Sequence, residues 1–81
     1  GESFEVEIED ATVGNYELWV GATQRATIAV AATASGTHGQ VEFDDSPKPG
    51  QLPLNFDPRG ELVTIARNGV TYFQRVLPAG L

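Results

Sequence analysis

Cysteine does not occur in the 81-residue chain. Its absence excludes a disulfide framework and thiolate metal sites, the usual staples of small extracellular domains. Histidine and lysine occur once each, as His38 and Lys48, and serine only as Ser3, Ser35 and Ser46. A hydrolytic triad would have to bring His38 from a glycine-flanked loop to a serine and a carboxylate. No Gly-x-Ser-x-Gly elbow supports such a triad, so no catalytic residue is expected and His38 reads as a solvent-exposed loop residue. One histidine does not make a zinc site. Lys48 lies between prolines, a poor setting for a lysine–asparagine isopeptide staple, and no Asn-x-Ser/Thr signal for N-glycosylation is present. The nine glycines are scattered at turns and form no phosphate cradle. Long apolar runs are missing too, and the start, "GESFEVEIED", has neither a basic segment nor an apolar one, so neither membrane insertion nor a signal peptide is expected.

Basic residues are scarce. Five stand against eleven acidic ones, and the net charge of −6 repels phosphate backbones, which excludes nucleic acid as an expected partner. The imbalance is uneven along the chain. Residues 1 to 45 carry nine acids (Glu2, Glu5, Glu7, Glu9, Asp10, Glu17, Glu42, Asp44 and Asp45) against Arg25, a net of −8. Residues 46 to 81 carry Asp57 and Glu61 against Lys48, Arg59, Arg67 and Arg75, a net of +2. If the halves occupy different surfaces, head-to-tail contact between copies is favoured; if their strands interleave, the asymmetry averages out.

What is present is apolar alternation. At 41% hydrophobic residues the chain is globular, and 81 residues make one β-domain, 1–81, that buries only roughly 60% of the surface of its unfolded form. "FEVEIE" alternates Phe4, Val6 and Ile8 with Glu5, Glu7 and Glu9, the period of a strand with one buried and one wet face. "NYELWVG" repeats the pattern with Tyr16, Leu18 and Val20 on one side, and Glu17 and Trp19 on the other. "ATQ" is a hairpin connection to "RATIAVAATA", where β-branched Thr27, Ile28, Val30 and Thr33 favour a strand over a helix. "SGTHG" reads as a loop and "QVEF" as a short strand with Val41 and Phe43 inward.

Residues 44–60 hold four of the five prolines and form the one long connection, with Leu52, Leu54 and Phe56 alternating as if to plug the core. Within it, Asp57, Pro58 and Gly60 match the first, second and fourth positions of a type I turn, which points Arg59 into solvent or toward an anion or partner. "ELVTIAR" and "VTYFQRVL" then flank Asn68-Gly69, a strong type I′ hairpin signal. The count gives an all-β fold, a small antiparallel β-sandwich or partly open barrel of about six short strands.

Calcium needs only oxygen ligands, and the candidates are Asp44 and Asp45 beside Ser46, or the Glu5–Glu7–Glu9 ladder with carboxylates about 7 Å apart. No EF-hand pattern occurs, and a glutamate ladder on a wet face equally provides solubility and guards an edge. Trp19, Tyr16 and Tyr72 are candidates for stacking on a sugar ring. The first strand pairs within its own sheet or adds to that of a neighbouring copy, with its glutamates selecting an edge that carries Arg67 and Arg75.

The combination of "NYELWVGA", "GQVEFD" and "LNFDPRGELVTIARNGVTYF" resembles a pattern in small β-domains of secreted bacterial proteins that are distantly similar to the CHRD domain. The resemblance spans about residues 4 to 77 and rests on turn and core residues. It implies an extracellular or cell-surface, all-β, non-enzymatic module and assigns no functional residues. The resulting expectation is a structural or interaction module, a self-assembling subunit of a fibre or surface layer that uses its N-terminal strand for strand addition. Its partners would be copies of itself or another surface protein. A calcium- or carbohydrate-binding module is the alternative. No cofactor is expected, calcium being the one candidate. The assembly residues are Phe4, Glu5, Val6, Glu7, Ile8, Glu9, Trp19, Arg59, Arg67 and Arg75.

Overall fold

The computed structural model describes residues 1–80; Leu81, the last residue of the expected domain, lies outside them. The fold is all-β and antiparallel, as the alternation predicts, with no helix among the described residues. Six strands, β1(Ser3–Glu9), β2(Gly14–Val20), β3(Thr23–Thr33), β4(Gly36–Asp44), β6(Leu62–Arg67) and β7(Val70–Val76), are joined by the two-residue β5(Leu52–Pro53). The chain divides into two compact units, residues Gly1–Gly14 with Ala29–Asp57, and residues Asn15–Ile28 with those from Pro58 onward.

In the first unit β4 lies between β1 and the second half of β3. The register sets Phe4 opposite Phe43, Val6 opposite Val41 and Ile8 opposite Gly39, so the apolar row of β1 shares a face with its counterpart on β4. Phe43 is only 2% exposed. Phe4 stacks on it at 5.8 Å and Phe56 meets it edge-on at 5.2 Å. Such offset and edge-on pairs add about 0.5–1.5 kcal/mol each beyond area burial.

Phe56 therefore plugs this cluster as expected, whereas Leu52 remains 40% exposed. It belongs to β5, which lies parallel to the end of β4 (Phe43 opposite Leu52, Asp44 opposite Pro53). Gly39 has no room for a side chain, since a Cβ there would sit 2.6 Å from the Ala29 carbonyl oxygen.

The expected loop "SGTHG" is mostly strand. Only Ala34 and Ser35 turn, and β4 begins at Gly36. Gly36 adopts φ 147°, which a side chain would resist, while Thr33 Oγ1 donates to the Gly36 carbonyl and accepts from Ser35 N–H. Glycine composition suggests a loop, yet here glycine permits the tight turn and the close strand approach. His38 consequently lies on β4, opposite Glu9, and not in a loop.

In the second unit the first half of β3, β2, β6 and β7 follow one another in that order. Gly21 (φ 60°) and Ala22 make the β2–β3 turn, two residues shorter at its far end than the expected connection. Tyr16, Leu18, Val20, Ile28, Val63 and Ile65 are buried on one face, which is the alternation read from sequence. Asn68 (φ 52°) and Gly69 (φ 76°) form the expected hairpin between β6 and β7.

The corner at "DPRG" differs from the expectation by one residue. Its hydrogen bond runs from Glu61 N–H to the Pro58 carbonyl (3.1 Å), with Gly60 at φ 76°. Pro58, not Asp57, is the first residue of the turn, and Gly60 supplies the positive φ that a type II turn needs at its third position. Two further bonds fix the corner, Gly60 N–H to the Pro78 carbonyl (3.2 Å) and Leu77 N–H to the Glu61 carbonyl (3.0 Å). Arg59 is exposed on this anchored corner.

Candidate interaction edges

Each unit ends in a strand with one hydrogen-bonded neighbour: β1 beside β4, and β7 beside β6. β1 pairs with its own chain over seven residues. It is thus a fixed edge with one strand neighbour among the described residues, rather than a loose donor strand. Phe4, Val6 and Ile8 are half-buried, and Glu5, Glu7 and Glu9 are exposed on the other face. Asp45 holds the start of this strand, accepting from Glu2 N–H through Oδ2 (2.8 Å) while its own N–H donates to the Glu2 carbonyl (3.0 Å).

β7 is exposed along its whole length. Val70 (54%), Tyr72 (56%), Phe73 (49%) and Val76 (62%) leave much of their apolar surface in water, and Arg75 is the strand's single charge. A β-bulge explains the concentration. Phe73 pairs with Ile65 and Thr71 with Ala66, so Tyr72 is the extra residue. The bulge interrupts the period of two and lets Tyr72 as well as Phe73 project on the face that Ile65 lines. Tyr72 meets the buried Tyr16 ring edge-on at 5.4 Å.

The residues expected to mediate assembly are distributed unequally. Arg75 is exposed on β7, opposite Val63. Arg67 lies over the Tyr16 ring at 5.3 Å, a cation–π contact that employs its guanidinium inside the unit. Trp19 is half-buried on the face of β2 opposite Tyr16, its Nε1–H donating to Glu17 Oε1 (2.9 Å). Tyr16, Tyr72 and Trp19 therefore do not make one sugar-stacking platform, because Tyr16 is 1% exposed and Trp19 projects the other way.

Asp44 and Asp45 are occupied by backbone work. Asp44 Oδ1 accepts from Ser46 N–H (2.8 Å) at the turn after β4, and Asp45 clamps Glu2. The His38 Nε2 atom lies 3.2 Å from Glu7 Oε2, a cross-strand surface contact. Among the described residues no group of three or more His, Cys, Asp or Glu side chains is placed to hold a metal ion.

The two units sort the charge. Glu2, Glu5, Glu7, Glu9, Asp10, Glu42, Asp44, Asp45 and Asp57 fall in the first with Lys48, a net of −8. Glu17 and Glu61 fall in the second with Arg25, Arg59, Arg67 and Arg75, a net of +2. Glu17, Arg25, Lys48 and Asp57 change sides relative to a simple division at residue 45, and the asymmetry survives. β1 is therefore the edge of an acidic unit and β7 the edge of a mildly basic one. In comparisons with family models, curated proteins and solved structures, the chain matches none.

Proposed function

We propose that this protein is a non-enzymatic structural or interaction module of the extracellular space or cell surface, and that it works by self-association through its sheet edges as a subunit of a fibre or layer. The observation that carries the reading is β7, an edge strand exposed throughout, with four large apolar side chains and one charge. Soluble proteins ordinarily blunt such an edge with charge, proline or a covering element, because a bare apolar edge pairs with other strands. Among the described residues β7 has Arg75 and the bulge as devices of that kind, and the bulge gathers Tyr72 and Phe73 instead of dispersing them.

A small domain without disulfides also gains from having a neighbour. Burial against another copy adds the apolar area that 81 residues bury sparingly on their own. The extracellular placement follows from the resemblance of the "NYELWVGA" and "LNFDPRGELVTIARNGVTYF" segments to secreted β-domains.

Light scattering and negative-stain microscopy of the full chain at low and high salt test the reading. Particle mass that grows with concentration, with ordered oligomers or filaments on the grid, is the expected result. A monomer at every concentration and salt would refute it.

A further inference from the structure

Resting on that reading, we infer that the pairing is heterologous: the β7 edge of one copy receives the β1 edge of a second copy, with β1 as the acidic partner and β7 as the apolar, basic one. Three pairings of these edges exist, and charge separates them. Pairing β1 with β1 brings Glu5, Glu7 and Glu9 of one copy against the same row of another, and like charges opposite one another on strands are destabilising. It also brings together two units of net −8. Pairing β7 with β7 buries apolar surface but apposes two units of net +2. Pairing β1 with β7 alone sets −8 against +2.

Side-chain pattern agrees with charge. Phe4, Val6 and Ile8 remain half-buried in their own unit, so they retain apolar surface for a neighbour. Val70, Tyr72 and Phe73 on the receiving strand offer the complementary patch. Strand addition of this kind draws affinity from main-chain hydrogen bonds and specificity from alternate side chains. A glutamate ladder fits one role well: it rejects a second β1 edge while accepting one that carries no acid. β7 carries none, its seven residues being Val70, Thr71, Tyr72, Phe73, Gln74, Arg75 and Val76. Because the two surfaces differ, each copy keeps one edge open after pairing, and a head-to-tail contact propagates where an isologous one stops at the dimer.

The test uses two variants of the full chain, each with one edge spoiled. Phe73→Lys places a charge in the β7 patch, and the triple variant Glu5→Lys, Glu7→Lys, Glu9→Lys reverses the β1 ladder. All three glutamates and Phe73 are exposed or nearly half exposed, and circular dichroism with urea unfolding checks that both variants fold. Sedimentation velocity is then run on the native chain, on each variant and on their equimolar mixture.

The expected result is growth for the native chain, at least tenfold weaker self-association for each variant alone, and a mixture that stops at twice the 8.6 kDa monomer mass. That mixed dimer joins the intact β1 of Phe73→Lys to the intact β7 of the triple variant. Dimerisation of the triple variant by itself would overturn the inference in favour of β7–β7 pairing. Dimerisation of Phe73→Lys by itself would overturn it in favour of β1–β1 pairing, and undiminished growth of both variants would place the contact elsewhere. Each of these three outcomes leaves self-association standing. A native chain that never associates removes the proposed function itself, so the two failures are distinct.

Discussion

Phe43→Ala and Phe73→Ala remove the same atoms from places that the fold treats oppositely. Phe43 is 2% exposed and packed against Phe4 and Phe56. Truncating a buried phenylalanine costs about 3–5 kcal/mol, and the lost ring pairs place this site in the upper part of that range. At roughly 0.05–0.15 kcal/mol per residue, a domain of 81 residues holds about 4–12 kcal/mol in total. Phe43→Ala thus removes a large share of the stability.

Phe73 is 49% exposed, so its truncation forfeits about half of a full burial, roughly 1 kcal/mol. With Tm moving about 4–8 °C per kcal/mol in a domain of this size, the two variants differ by well over 10 °C. Urea unfolding followed by the fluorescence of Trp19, the single tryptophan, measures both at a concentration where the chain is monomeric. If the chain associates through β7 as proposed, the cost of Phe73→Ala should then rise with protein concentration, since association would add stability by mass action that the variant lacks. Equal costs for the two substitutions in the dilute regime would refute the assignment of β7 as an exposed edge.

Four other outcomes follow from the geometry. Gly39→Ala forces a Cβ to within 2.6 Å of the Ala29 carbonyl and should cost about 1–3 kcal/mol in chemical unfolding, with Tm falling accordingly. Asn68→Ala places alanine at φ 52° in the β6–β7 turn and should cost about 1 kcal/mol by the same measurement. Asp45→Ala removes the acceptor for Glu2 N–H, so hydrogen exchange should quicken at Glu2 and Ser3 while the β6–β7 hairpin is unaffected. Raising salt from about 0.05 to 0.5 M should weaken self-association in sedimentation, because screening shortens the reach of exposed charges.

Local period and turn chemistry made most of the fold legible. The one-in-two alternation of Phe4, Val6 and Ile8 marks a face that the fold half-buries, that of Tyr16, Leu18 and Val20 one that it buries, and Asn68-Gly69 marks its hairpin. Where the reading failed, a tertiary demand had replaced a local one. Gly36 and Gly39 read as loop residues because composition does not distinguish glycine that bends a chain from glycine that lets two strands approach. The corner moved by one residue because Pro58 is compatible with more than one turn position, and the bonds from Gly60 to Pro78 and from Leu77 to Glu61 decide between them.

The β7 patch is obscure in the sequence for a different reason. Val70, Tyr72 and Val76 lie at one parity and Phe73 at the other, and apolar residues at both parities read as a strand covered on both sides. The same pattern is what a bulge leaves in a sequence, so the adjacent Tyr72-Phe73 pair was the available signal.

If copies pair through their edges as proposed, the contrast between β1 and β7 governs which edges meet. An edge guarded by three glutamates and an edge guarded by none would be poorly matched protections if each had only to avoid contact. As a pair they have a joint property: the charged edge rejects its own kind, and the apolar edge has little in its favour from another unit of like net charge. On that proposal, association would be confined to the one combination in which apolar burial and electrostatics have the same sign. Salt weakens the electrostatic part and leaves the apolar part, so high ionic strength should do more than reduce affinity. It should also narrow the margin between β1–β7 and β7–β7 pairing, and the Glu5→Lys, Glu7→Lys, Glu9→Lys variant, which retains an intact β7, would show that loss of selectivity as dimerisation at high salt that is absent at low salt, where dimerisation would instead overturn the β1–β7 assignment.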